Sequence, residues 1–274
     1  MGLFVRYFVL AASLTFGAYS VSADPITFGV VPQQSAKKMA EKWQPLIDYI
    51  SNFTGLDVQF KTAKDIPTFE SELAQGKYDL AYMNPYHFVV FNASVGYRSL
   101  VHQKDKRLSG LIVVHKDSPI ESVNDLAGSE IAFPAPAAFA ASIITSAHLR
   151  TNDIPFIPRY VNSHDSVYLA VRRNFFSAGG GILRTFDALP ADIKKDLRIL
   201  WTSEGYTPHP IATLPNMAEA DRQAILNSLI AVSNDTSKSW LLKNIGLSGF
   251  TASDDSEWDD VRSLGIASLS RPHL

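Results

Sequence analysis

From Asp24 onward, short apolar runs rich in β-branched residues alternate with stretches whose apolar positions recur at helical spacing, an order that few folds accommodate. Ile26 to Val31 reads as a strand that Pro32-Gln33-Gln34-Ser35 breaks. Ala36, Met39, Ala40, Trp43, Leu46, Ile47 and Ile50 then follow at helical spacing. Pro45, inside that pattern, is expected to kink or split the helix. Val58 to Lys61 and Asp79 to Met83 read as strands, with a helix over Pro67 to Ala74 between them and another opening at Tyr86. Leu111 to His115, Glu130 to Phe133, Pro158 to Val161, Leu197 to Trp201 and Ile211 to Leu214 continue the strands. Helices are expected over Ala137 to Arg150 and Ser166 to Arg173. Strands alternating with helices imply crossover connections and mainly parallel sheets covered on both faces. The fold class is therefore α/β, read as two α/β lobes joined by two extended passages near Leu108 to His115 and Leu200 to Pro210. Gly179-Gly180-Gly181 reads as a tight turn, with close approach of backbone to a ligand as the other option.

Met1 to Ala23 precedes that pattern. It holds one charge at Arg6, an apolar stretch from Tyr7 to Ala18 and small residues at Val21-Ser22-Ala23, the layout of a secretory leader cleaved after Ala23. The apolar stretch is shorter than the ~20 residues needed to span a bilayer. A protein soluble outside the cytoplasmic membrane is expected, with a leader at 1–23, a first lobe at 24–110, a second at 111–205, and a return to the first lobe with C-terminal helices at 206–274. A formal charge of −2 with no long basic run lacks the footprint of nucleic-acid binding, and the absence of cysteine excludes disulfide stapling and thiolate metal sites. A monomer is expected.

The sequence holds no G-x-G-x-x-G, Walker A, H-E-x-x-H or G-x-S-x-G motif. Ser163-His164-Asp165 has the residue types of a nucleophilic triad, but consecutive side chains diverge. The seven histidines do not fall at i, i+4 ligand spacing, so no enzyme activity, cofactor or metal is expected. In open α/β sheets, ligands bind beyond the carboxyl ends of strands. That rule places four loops on one cleft: Pro32 to Ser35, Tyr82 to Tyr86, Pro134 to Phe139 and Asn162 to Ser166. Tyr82 and Tyr86, flanking Asn84-Pro85, either present phenols to the cleft or pack in the core. Arg184 either neutralises an anion or is solvated.

Several segments together resemble the phosphonate-, phosphite- and phosphate-type solute-binding proteins of bacterial ABC importers. They are ITFGVVPQQ from Ile26, WQPLIDYI from Trp43, YDLAYMNPYHF from Tyr78, DSPIESVNDLAGSEIAF from Asp117, VNSHDSVYLAV from Val161 and ILWTSEGYTPHPIATLP from Ile199. The resemblance implies a type II periplasmic binding fold whose two lobes close on a small ligand, here an oxyanion, for delivery to an ABC permease. It implies that His164 contacts the oxyanion at a helix start. The family's hydroxyl-rich oxyanion loop falls here on Pro136, Ala137 and Ala138, which supply no hydroxyl. Positions that would hold an ammonium with carboxylates correspond to His209 and the vicinity of Leu183, which argues against an aminoalkylphosphonate. The ligand residues expected on this basis are His164, Tyr82, Met83, Asn84, Tyr86, Pro136, Ala137, Ala138, His209 and Arg184. A less charged ligand lined by Tyr82, Met83, Pro136 and Phe139 is the alternative occupant. The alternative role is a periplasmic sensor that presents its closed form to a membrane histidine kinase or other receptor.

Overall fold

A computed structural model describes residues 24–265; the expected leader at 1–23, and residues 266–274 of the expected C-terminal segment, lie outside the described residues. The first half of the chain runs β1 (Ile26–Val30), α1 (Ala36–Thr54), β2 (Val58–Lys61), α2 (Ile66–Ala74), β3 (Leu80–Tyr82), α3 (Pro85–Ser94), β4 (Arg98–Gln103), β5 (Gly110–His115) and β6 (Ser129–Phe133). A π-helical segment, Phe139–Ile144, leads into α4 (Thr145–Thr151), followed by β7 (Phe156–Tyr160), α5 (His164–Arg172), β8 (Ala178–Ile182), α6 (Leu183–Asp187) and α7 (Ala191–Lys194). The chain continues through β9 (Leu197–Thr202), β10 (Pro210–Thr213), α8 (Glu219–Asn234), α9 (Ser239–Asn244), β11 (Phe250–Ala252) and α10 (Asp259–Arg262).

The strands form two sheets. One has the order β11-β4-β10-β3-β1-β2, with β1 parallel to β2 and β3, and β10 antiparallel to β3 and β4. The other has the order β7-β6-β8-β5-β9, with β6 parallel to β7 and β8, and β5 antiparallel to β8 and β9. The second sheet is covered on both faces, as the alternation along β5 requires: Ile112 and Val114 join a core with Phe133 and Leu149, while Leu111 and Val113 join Tyr168 and Val171. The chain passes between the sheets twice, through residues 104–109 and 203–209. There Leu108 and Tyr206 pair as an isolated antiparallel bridge, exchanging N–H···O bonds of 2.8 and 2.9 Å.

Two expectations need correction. Of the two effects expected of Pro45, splitting does not occur: α1 runs unbroken through it, and Met39, Trp43, Leu46, Ile47 and Ile50 form one buried stripe on both sides of the proline. Gly179 to Gly181 are not a turn but the middle of β8, a central strand. A Cβ at Gly180 would run into the Ala141 carbonyl and the Phe133 ring, and at Gly179 into Val167; one at Gly181 would strike the Tyr168 hydroxyl. The glycines therefore let α5 and the π-helical segment lie directly against the sheet.

Candidate functional site

Three of the four expected cleft loops are helix starts, and the local sequence shapes each. Ser35 caps α1 by accepting from Lys38 N, and Asn84 Oδ1 caps α3 by accepting from His87 N at 2.8 Å. Ser163 Oγ caps α5 by accepting from Ser166 N at 3.1 Å. All four loops follow parallel strands, so they emerge at the same edge of their sheets. They meet across the cleft: His164 N donates to Gln33 O at 3.3 Å, and Asn84 Nδ2 donates to Ala137 O at 3.0 Å. Asp165 accepts from Gln34 Nε2 at 3.3 Å and from Lys38 Nζ at 2.9 Å.

Arg184 reaches from α6 onto the first lobe. Its Nη2 donates to Gln33 Oε1 at 2.5 Å, its Nη1 to the Tyr82 hydroxyl, and its Cζ lies 5.3 Å from the centre of the Tyr82 ring. Because an arginine only donates, Gln33 presents its oxygen to Arg184 and its amide nitrogen to His209 Nε2, 3.1 Å away. His209 is thereby the Nδ1–H tautomer, and its ring stacks on Tyr82 at 5.2 Å between centroids. His164 Nδ1 lies 3.3 Å from Thr185 Oγ1, which in turn contacts the Tyr168 hydroxyl at 2.8 Å. Among the described residues, no carboxylate comes within ion-pair distance of Arg184.

Burial, reinforced by the Arg184 charge, sets the protonation of this cluster. Removal from water holds His164 down to about 3, with Arg184 adding to the effect and Asp165 opposing it. His209 is lowered for the same first reason, with Arg184, His87 and His164 contributing in that order. Both rings are neutral at physiological pH. Burial raises the Tyr82 phenol, against the pull of Arg184.

The central void that His164 and His209 share with Gln33, Asn84, Ala138 and Phe139 has a volume of about 10 Å³, room for roughly one water. The cleft is thus closed. Of the expected ligand residues, the structure brings together His164, His209, Arg184, Tyr82, Asn84, Ala137 and Ala138. Met83 and Tyr86 are buried in the same apolar cluster as Tyr82, Ala137 and Ala138, with Tyr86 near enough to Glu70 to feel its charge, and they are not among the residues that line the central void. Pro136 is half-buried, and the helical segment after it begins only at Phe139, with π rather than α geometry. As the opening turn, the N–H groups of Phe139, Ala140 and Ala141 have no acceptor within their helix, and these residues line the central void. Gln33 and Thr185 join the cluster without having been singled out in the sequence; the position of Gln33 at the carboxyl end of β1 was the available signal. Among the described residues, no group of His, Asp or Glu could hold a metal, and no helix is long and apolar enough to cross a membrane.

Known proteins share this architecture. The crystal structure of a binding protein component of an ABC phosphonate transporter from Pseudomonas aeruginosa superposes with a TM-score of 0.81, at 17% identity, covering 88% of this chain and 86% of that one. PhnD1 from Prochlorococcus marinus, in complex with methylphosphonate, gives a TM-score of 0.79 at 13% identity, covering 88% of this chain and 96% of that one. The phosphonates-binding periplasmic protein of Escherichia coli is 20% identical in an alignment that covers 96% of this chain and 82% of the relative. Residues 28–258 match the family described as the phosphonate periplasmic substrate-binding protein of ABC transporters. Two α/β lobes crossed twice by the chain, a closed cleft at the carboxyl ends of their strands and a match spanning nearly every described residue lead to one assignment: the chain belongs to the periplasmic phosphonate substrate-binding family of ABC transporters.

Proposed function

We propose that this protein captures a small oxyanion of the phosphate, phosphite or phosphonate class between its lobes and delivers it to an ABC importer. The observation that carries this reading is Arg184, a guanidinium held across the cleft on Tyr82 and Gln33 with no carboxylate to balance it among the described residues. An anion supplies the missing charge, and Arg184 belongs to one lobe while Gln33 and Tyr82 belong to the other. Such a ligand therefore favours closure through contacts that only the closed form offers. The N–H groups of Phe139 to Ala141 take the place of the absent hydroxyls as oxyanion donors. His164, which lines the central void, adds a ring nitrogen to the site. No observation favours the sensor role over import.

The test is a thermal-shift panel of phosphate, phosphite, methylphosphonate, sulfate and small carboxylates, followed by calorimetry on each hit. A true ligand raises stability by about 2.7 kcal/mol at a hundredfold excess over its dissociation constant. The hit should be lost in His164→Ala and in Arg184→Met. A panel in which nothing stabilises the protein would overturn the assignment of an oxyanion.

A further inference from the structure

A second cavity, of about 380 Å³, borders the central void through Gln33, which lines both. Its walls come from Lys42 and Trp43 of α1, Arg184 of α6, and Lys243 and Ile245 at the end of α9. The volume falls within the range of small-molecule sites, whereas the central void does not. Its charge is one-sided. Lys42, Arg184 and Lys243 all face it, and the one carboxylate in its lining, Asp187, already accepts from Lys194 at 2.5 Å. Among the described residues, none of the three cations has a carboxylate within ion-pair distance.

The position of the central cation is built in rather than incidental. Gly246 sits at φ +74°, and a Cβ there would approach Arg184 Cγ to 3.1 Å, so the arginine stem lies directly on that backbone. Lys42 is half-buried and donates to Gln34 Oε1 at 2.8 Å. Its removal from water lowers its pKa, Asp165 opposes that, and Lys38 and Arg184 lower it further, as crowded cations must. Three cations without an ion-pair partner among the described residues line a half-open volume, and a bound anion offsets their mutual repulsion.

We infer that this cavity receives the tail of the ligand, and that the tail carries its own negative charge. The ligand class is a phosphonate or phosphate monoester bearing a second anionic group, such as a carboxylate. This rests on the proposed oxyanion reading for the head group, which lies at His164 and the backbone of Phe139 to Ala141, where the void of about 10 Å³ has to widen to admit it. Gln33, which lines both volumes and accepts from Arg184, stands between head and tail.

The probes are 3-phosphonopropionate and n-propylphosphonate, similar in size and differing in the tail charge, each titrated calorimetrically into the parent protein and into Lys42→Met, Lys243→Met, Lys42→Arg and His164→Ala. The parent should bind 3-phosphonopropionate about tenfold or more tightly than propylphosphonate, the scale of one charge-assisted hydrogen bond. Each Lys→Met change should shrink that preference severalfold, Lys42→Arg should restore it, and 0.5 M NaCl should reduce it. His164→Ala should weaken both probes alike. Equal binding of the two probes by the parent overturns the tail assignment and leaves the oxyanion head intact. Failure of both probes to bind overturns the oxyanion reading and the inference with it.

Discussion

Arg184 and the two buried histidines state the protein's preferences most directly. An aminoalkylphosphonate brings an ammonium toward a cleft that already holds an unbalanced guanidinium, so 2-aminoethylphosphonate should bind at least tenfold more weakly than methylphosphonate in parallel calorimetric titrations. The histidines predict a pH dependence of defined sign. His164 is held neutral in the folded state down to about 3, while an unfolded histidine takes its proton near 6.5. The folded pKa is depressed, so its contribution to stability is full above about 6.5 and is lost progressively as pH falls toward 3. Between pH 7 and pH 5 the unliganded protein should lose about 2 kcal/mol from His164 alone. His209 acts in the same direction. Urea titrations at the two pH values check this; the gap should narrow in His164→Asn and again in His209→Gln, and a gap unchanged in both would show that other groups govern acid stability. At this scale the sequence was only partly legible. His164, His209 and Arg184 stood out as residue types with chemistry to offer. The partnership of Gln33 with Arg184 did not, because 151 positions separate them and only the closed fold makes them neighbours.

At the scale of elements, periodicity exposed the strands and helices, and glycine misled. Three consecutive glycines mark a turn when nothing else is known. In β8 they mark the reverse, a strand so closely covered that no side chain fits. Gly180→Ala should therefore destabilise by more than about 3 kcal/mol, since the obstruction is the Ala141 carbonyl and a backbone atom cannot swing aside. Gly55→Ala, at the end of α1 with φ +75° and open space around it, should cost only about 1 kcal/mol. Comparing the two by chemical denaturation separates crowding from backbone strain. Pro45 is the converse case: α1 tolerates it because the buried stripe holds the helix on either side. Pro45→Ala restores a helical N–H and should stabilise the protein by about 1 kcal/mol or more, read as a raised urea midpoint at unchanged slope.

Viewed as a whole molecule, the two lobes share few covalent links, the passages at 104–109 and 203–209, and a seam of polar contacts. The seam is partly exposed, as at the Lys38–Asp165 pair, and weak contact by contact, which suits a cleft that must reopen. Asp165→Asn removes the charge that Lys38 and Gln34 share across it and should widen the unliganded ensemble. Small-angle scattering should record a larger radius of gyration for the variant than for the parent, and the difference should disappear at saturating ligand. Two-lobe architecture and the position of the cleft were legible because strand ends and helix starts alternate along the chain.

The strand order also dictates how the protein can be made. The second sheet is drawn wholly from one continuous stretch, β5 to β9, whereas β10 must enter between β3 and β4, which were synthesised more than a hundred residues earlier. As the chain emerges, the second lobe is complete while the first still has an open slot at its centre, flanked by two unpaired strand edges. The first lobe cannot close until the last quarter of the polypeptide arrives. Its assembly is the slow, long-range step. Until β10 docks, that slot is the place where a nascent chain is most exposed to mispairing, and a chaperone would find its binding surface there.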